Sequence, residues 1–339
     1  MRKKISASIY SNNDRNLENL IKDLDNYNID MFHVDFNDKK IDIKKVEDDI
    51  IEIRKISNKP IDLHIISDTP NQYSNFIIEN KVEYVTYQLE NIQEKLDFPI
   101  SKKTKFGIAI TSITAINEFE KYKNDCDFIL LMTTIPGESG GKFNNINFKK
   151  IREFKKYYPS KNIHIDGGVN DEIAFILRIH GVKSVVSGSY LVNGDIAKSL
   201  LELKSSISSS EIKINEFMLK RDESPIVNEL SDINEVLSVI EKFDLGFVCV
   251  ENSKKEFIGI ISMADIRKSL LKNINKFQNY IAKDILNKNP IVIKENDNIN
   301  NMLKTIQSKN FLISFMPVTN NTMKLVGLVT FFNLIKSES

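Results

Sequence analysis

Residues Met31–Asp38 read M-F-H-V-D-F-N-D. Side chains two apart in a strand point to the same side, so His33 and Asp35 project together while Phe32, Val34 and Phe36 turn the other way. An imidazole beside a carboxylate, set among apolar neighbours, is half of a metal site or of an acid/base pair. The plain alternative is a strand end with two polar residues facing solvent. What decides between them is whether other strands deliver matching groups to the same place.

Outward from this stretch the pattern repeats. Lys4–Tyr10 is a short apolar run, and Asp14–Tyr27 carries Leu17, Leu20, Ile21 and Leu24 at helical spacing. Asp30–Phe36 is the second strand, and Ile43–Ile56 is helical. Ile61–Ile66 is a third strand, followed by a segment that starts at Pro70. Glu83–Tyr87, Lys105–Ile110, Phe128–Thr133, Asn162–Ile165 and Ser184–Ser187 continue the series, each before a stretch of helical period. Eight strand-then-helix units in about two hundred residues favour a closed (β/α)8 barrel, an α/β fold, over an open doubly wound sheet. Chemistry in such a barrel sits at the C-terminal ends of the strands.

Those ends carry matching groups. The third strand, I-D-L-H-I-I, brings His64, and the seventh, N-I-H-I-D-G-G-V, brings Asp166 followed by Gly167 and Gly168. Two imidazoles and two carboxylates from three strand ends suit one divalent ion with a taste for borderline ligands, such as Zn²⁺, Fe²⁺ or Mn²⁺. His164 is read as alternating away from Asp166, and His180 as closing a helix; both are taken as structural. Two glycine-rich loops have the position of a barrel phosphate site. The sixth strand leads into P-G-E-S-G-G-K, residues 136–142, with Ser139, Gly140 and Gly141, and the eighth ends in Ser187-Gly188-Ser189.

The totals set the class. With 339 residues, two or three domains are expected. The 47 basic and 46 acidic residues nearly cancel, which argues against a nucleic-acid partner. Cys126 and Cys249 form neither a zinc spacing nor a disulfide framework. The N-terminus lacks the apolar run of a signal peptide, and no stretch is long enough to span a bilayer. A cytoplasmic protein without a membrane partner is the expectation.

Residues 4–191 resemble the ribulose-phosphate 3-epimerase family through I-S-A-S-I-Y, F-H-V-D-F-N-D, D-L-H-I-I-S-D-T-P, F-G-I-A-I, F-I-L-L-M-T-T-I-P-G, I-D-G-G-V and V-S-G-S. The resemblance implies a (β/α)8 barrel holding one divalent metal (Zn, Fe, Mn or Co) and inverting C3 of a ketopentose 5-phosphate. It implies His33, Asp35, His64 and Asp166 as ligands, with Asp35 and Asp166 doubling as the acid/base pair. It further implies substrate contacts from Ser8, His64 and Met132, and from Ser139, Gly140, Gly141, Gly167, Gly168, Gly188 and Ser189 of the loops. The chemistry asks for these groups, because a proton beside a ketone is weakly acidic and inversion needs two carboxyl groups of different pKa on opposite faces.

The sequence departs from the family around the substrate. Lys39-Lys40-Ile41-Asp42 replaces a glycine-led loop, Asn37 and Ile66 replace two capping methionines, Gln88 stands where a fourth-strand histidine is common, and Ser112 where a proline is common. The 137–141 loop is one residue longer, with Glu138 at an aromatic position. A pentulose, hexulose or heptulose phosphate other than the usual one is therefore in view. A lysine-containing third strand, as in decarboxylating relatives, is missing. The alternatives are a non-catalytic sugar-phosphate or nucleotide sensor or scaffold, and a different ketose-phosphate isomerase on the same barrel.

Residues 1–204 form the barrel in this reading and 205–213, within the Ser-rich K-S-S-I-S-S-S-E-I-K, the linker. Beyond it a pattern of about sixty residues occurs twice, ending in F-I-G-I-I-S-M-A-D-I-R and L-V-G-L-V-T-F-F-N-L-I. These halves, 214–270 and 279–337, resemble a pair of CBS modules, a smaller α+β unit. The resemblance implies regulation or assembly into at least a homodimer, and an adenine nucleotide near Ser262, Asp265 and Thr330, although Asn333 replaces the second aspartate.

Overall fold

A computed structural model describes residues 3–12, 14–137, 140–205, 210–272 and 274–337. Two compact units are present: Met1–Ser209 with Asn333–Ser339, and Ser210–Phe332.

The first unit is a closed barrel of eight parallel strands in sequence order: β1 (Lys4–Ser8), β2 (Met31–Asn37), β3 (Ile61–Ile66), β4 (Tyr84–Gln88), β5 (Lys105–Ile110), β6 (Phe128–Met132), β7 (Asn162–Asp166) and β8 (Ser184–Ser187). The helices are α1 (Leu17–Asn26), α2 (Ile43–Ile56), α3 (Ser74–Glu79), α4 (Ile146–Tyr157), α5 (Asp171–Ile179), α6 (Ser189–Val192) and α7 (Ile196–Ser205). α1 starts where the Asn16 side chain accepts from the Asn19 N–H, and α2 where Asp42 accepts from Lys44 N–H, each satisfying an end group of the helix. α2 turns Val46, Ile50 and Ile53 inward, wholly buried, each burial stabilising by about 1.5–3 kcal/mol.

Three expectations need correction. β1 stops at Ser8 rather than Tyr10, because Ile9–Ser11 forms a 3₁₀ turn closed by a Ser11 Oγ–Ser8 Oγ hydrogen bond of 2.9 Å. Units four and five lack α-helices: β4 is followed by a short 3₁₀ turn (Leu89–Asn91) and β5 by a 3₁₀ segment (Ile116–Tyr122). Pro99 lies in the connection after β4, where it supplies no N–H and disfavours helical backbone at Phe98. His164 does not alternate away from Asp166. It is two residues away on β7, hence on the same face, one layer lower in the barrel interior. There its ring stacks on Phe128 at 4.1 Å between centroids, beside Tyr84. The structural reading of His164 fits that packing. Burial holds its pKa down at about 4, against the pull of Asp62.

The second unit contains α8 (Ile214–Phe217), β9 (Leu219–Lys220), β10 (Ile226–Asn228), α9 (Ile233–Phe243), β11 (Phe247–Glu251), β12 (Phe257–Ser262), α10 (Met263–Lys272), α11 (Ala282–Ile285), β13 (Ile293–Lys294), α12 (Ile299–Gln307), β14 (Phe315–Thr319) and β15 (Leu325–Thr330); α13 (Phe332–Ser337) belongs, from Asn333 on, to the first unit. The sheets run β10-β11-β12 and β13-β14-β15-β9. The internal repeat extends to fine detail. β11 and β14 each pair antiparallel with the next strand and each carry an irregularity at the same place, Val250/Glu251 and Val318/Thr319. The repeat-related Phe247 and Phe315 stack face to face, centroids 3.4 Å apart. Of the expected linker, residues 206–209 lie outside the described residues. Among the described residues no helix is long and apolar enough to cross a membrane.

Candidate active site and metal centre

Strand pairing sets the site. In the parallel register His33 stands beside Asp62, Asp35 beside His64, and Met132 beside Asp166. Neighbours in register share a face, so the inward positions of β2, β3 and β7 converge at the C-terminal end of the barrel. His33, Asp35, His64 and Asp166 each offer one ligand atom, and these atoms all lie within 4.8 Å of one another. His33 Nε2 is 3.3 Å from Asp35 Oδ1 and 3.5 Å from Asp166 Oδ2, and His64 Nδ1 is 3.0 Å from Asp35 Oδ1. Donors bonded to a single ion at about 2.1 Å stand roughly 3–3.5 Å apart. The donor set therefore fits one divalent cation.

The rings are held from behind. His33 Nδ1 is 3.0 Å from Asp62 Oδ2, which also accepts the Ser6 hydroxyl at 3.0 Å. His64 Nε2 is 2.8 Å from Gln88 Oε1. Both imidazoles are buried, as is Asp62.

Electrostatics separates the carboxyl groups. Burial works against charge on Asp35, but His33 and His64 overcome it and hold its pKa far below the usual range. Burial dominates at Asp166, reinforced by the Asp35 charge, and pushes its pKa up to about 6. Burial likewise opposes charge on His33, yet Asp35 and Asp62 raise its pKa well above the ordinary value. Two carboxyl groups in one pocket thus differ in proton affinity, the condition for dividing acid and base roles.

Around the cluster, Met132 is buried with Ala109 and Leu130. Gly167 and Gly168 follow Asp166 with φ of +109° and +62°. A Cβ on Gly167 would stand 2.2 Å from Thr134 Oγ1, and one on Gly168 2.2 Å from the Phe143 backbone nitrogen. Only glycine lets the β7 turn lie this close to the loop after β6. Gly140 and Gly141 belong to that second loop, and Gly141 closely approaches Thr134. Ser139 lies outside the described residues. Gly188 packs against Ser11 and Ser8, and Ser189 opens α6. Ser8, Gly167, Gly168, Gly188 and Ser189 thus fall at the same end of the barrel as the four donors. His180 caps α5 and stacks on Phe148.

Sequence reasoning passed over Ser6, Asp62 and Glu90. Asp62 sits two residues before His64, so the same period that singled out His33 and Asp35 also points it inward. In the second unit, Ser262 ends β12 and donates to Asp265 Oδ2 from its N–H at 3.0 Å and its hydroxyl at 2.6 Å. Thr330 ends β15, opposite Phe315, as Ser262 stands opposite Phe247. The stacked phenylalanines connect the two strand-pair ends.

The chain matches the Ribulose-phosphate 3 epimerase family over residues 4–192 and the CBS domain over residues 214–272 and 282–339. It is 28% identical over 217 residues to the ribulose-phosphate 3-epimerase of Bacillus subtilis (strain 168), covering 60% of this chain and 99% of that protein. It is 29% identical over 217 residues to the ribulose-phosphate 3-epimerase of Methanocaldococcus jannaschii, covering 59% of this chain and 88% of that protein. A CBS domain-containing protein of unknown function from Bacillus anthracis aligns with 38% of this chain and 92% of its own, at 17% identity and a TM-score of 0.34. With the match covering more than half of its length, the chain belongs to the ribulose-phosphate 3 epimerase family and carries two CBS domains after the barrel.

Proposed function

We propose that the barrel is a metal-dependent isomerase that inverts C3 of a ketose phosphate, converting D-ribulose 5-phosphate to D-xylulose 5-phosphate or acting on a related pentulose, hexulose or heptulose phosphate. The observation that carries this reading is the meeting of His33, Asp35, His64 and Asp166 within 4.8 Å, two carboxylates among them. These four would hold one divalent ion (Zn, Fe, Mn or Co), which would supply polarisation of the substrate carbonyl and stabilisation of enediolate charge.

The protein's own groups do the rest. One of Asp35 and Asp166 takes the C3 proton from one face, leaving an enediolate. The other, in its carboxylic acid form, donates a proton to C3 from the opposite face, and the roles exchange in the reverse direction. Met132 excludes water from one side. Backbone N–H groups at Gly140, Gly141, Gly167, Gly168 and Gly188, with the hydroxyls of Ser8, Ser139 and Ser189, bind the phosphate end and the sugar, and His64 lies against the substrate as well as holding the ion. Asn37, Ile66 and Lys39-Lys40 depart from the residues usual in the family near this end of the barrel, which supports a substrate other than the common pentulose phosphate.

For the second unit we infer an adenine-nucleotide site at Ser262, Asp265 and Thr330 that regulates the barrel, or a role in forming a homodimer, in a cytoplasmic enzyme. The hydroxyl and carboxylate gathered at Ser262 and Asp265 support a ribose contact. Asp166→Asn tests the catalytic assignment: turnover should fall by about 10²-fold or more with the fold retained, whereas full activity would refute it.

A further inference from the structure

The β4 strand supplies no ligand atom, yet a hydrogen-bonded chain runs from the exposed Glu90 past its end, through the buried Gln88, to one. His64 Nε2 is 2.8 Å from Gln88 Oε1, and Gln88 Nε2 donates to Glu90 Oε2. Glu90 is itself pinned at the end of β5. Its Oε1 accepts from the Thr111 N–H at 2.8 Å, from Thr111 Oγ1 at 3.0 Å and from Thr114 Oγ1. Gln88 and His64 are both almost wholly buried, so neither can trade these partners for water.

We propose that Glu90 and Gln88 are positioning residues that keep a proton on His64 Nε2, so that Nδ1, the nitrogen beside Asp35, is the one left for the candidate ion. The inference rests on the metal-dependent reading above and deepens it. An ionised carboxylate can only accept, so Glu90 turns the NH₂ side of the Gln88 amide toward itself. That leaves the amide oxygen against His64, where it can only accept. The ring must then keep a proton on Nε2, which makes Nδ1, 3.0 Å from Asp35 Oδ1, the nitrogen an ion would take in place of the proton shared with Asp35. A flipped amide would set its oxygen against the Glu90 carboxylate and its NH₂ against Nε2, placing the ring proton on Nδ1, where no cation can bind. His33 is fixed in the opposite sense, Nδ1 toward Asp62 and Nε2 toward the carboxylates. The two imidazoles thus offer different ring nitrogens, each chosen by an outer partner. With Gln88 at a position where relatives commonly have histidine, Glu90 is what gives the reversible amide a single orientation.

The test uses the full chain labelled with ¹⁵N-histidine and loaded with Zn²⁺. Long-range ¹H–¹⁵N NMR reports the tautomer of each of the four histidines. Wild-type His64 should show a protonated Nε2 and an Nδ1 that carries no proton because Zn²⁺ has taken its place. Glu90→Gln, which frees the amide to flip, and Gln88→Leu, which removes the acceptor, should each give a substantial Nδ1-protonated fraction. In chelator competition with Zn²⁺ alone, both should bind about tenfold to a hundredfold more weakly than wild type. Nδ1 protonation in the wild type overturns the proposal, as does an unchanged tautomer in both variants. A shifted tautomer with unchanged Zn²⁺ affinity also overturns it. Failure of the epimerase reading shows separately, as absence of substrate proton exchange in a wild type whose tautomer remains measurable.

Discussion

Asp62 Oδ2 stands 3.0 Å from His33 Nδ1 and accepts the Ser6 hydroxyl at the same distance, so the carboxylate is an acceptor on both sides and the His33 ring turns Nε2 toward Asp35 and Asp166. Carboxylate behind imidazole is the arrangement that orients a metal-binding histidine and strengthens it as a donor. Asp62→Asn, whose NH₂ can press a proton onto the wrong ring nitrogen, should weaken Zn²⁺ binding by about 10–100-fold. Chelator competition, with circular dichroism as the control for folding, checks this. Wild-type affinity in a folded variant contradicts it.

Gly168 combines a φ of +62° with a backbone neighbour where a Cβ would go, 2.2 Å from Phe143 N. Gly168→Ala should cost about 1–3 kcal/mol of stability in urea unfolding, from backbone strain and displacement of the loop after β6. If the turn binds the phosphate group, KM should rise more than kcat falls. An alanine variant as stable as wild type would contradict the tight approach of the two loops.

His164 gives a pH dependence of known sign. Buried against Phe128 and Tyr84 and facing Asp62, Lys4, Lys105 and His33, it stays neutral in the folded chain down to about pH 4. The unfolded chain takes up this proton below its ordinary pKa of about 6.5. The unfolded state therefore binds more protons between these values, and stability falls as pH drops through that window by up to about 3 kcal/mol. His164→Leu should remove that share of the slope. Equal slopes in both proteins, in urea titrations from pH 7 to 4.5, would contradict the assignment.

For the second unit, Asp265→Ala removes the acceptor of both Ser262 bonds. Loss of the AMP- or ATP-induced thermal shift in this variant is expected of a ribose-binding carboxylate. An equal shift in wild type and variant would dismiss Asp265 from the site.

Much of this was legible in the residues. Period-two spacing placed His33 and Asp35 together and, applied to the third and seventh strands, brought His64 and Asp166 into the same account. The same spacing also turns Asp62 and His164 inward. Asp62 stands outside the ligand set that the family resemblance implies, and the expectation for His164 put it across the strand from Asp166. Gln88 was visible only as a departure, because its partner Glu90 is anchored by Thr111 and Thr114, which come from the next strand's end. Helices after β4 and β5 were expected from local apolar spacing. Local spacing does not register Pro99 in the first connection, and the 3₁₀ winding of Ile116–Tyr122 has no marker in its residues that we can identify. The doubled pattern after residue 213 carried through to matching strand irregularities because each half closes the same two-strand ribbon.

The central claim is proton transfer at C3 of a ketose phosphate. Metal-loaded protein in D₂O with D-ribulose 5-phosphate, followed by NMR, reads it directly. Deuterium at C3 with D-xylulose 5-phosphate appearing, or the same exchange on a longer ketose phosphate, is the predicted result. Absence of exchange across a panel of pentulose, hexulose and heptulose phosphates, in a chain that binds one divalent ion, would contradict it and leave the barrel as a binding module.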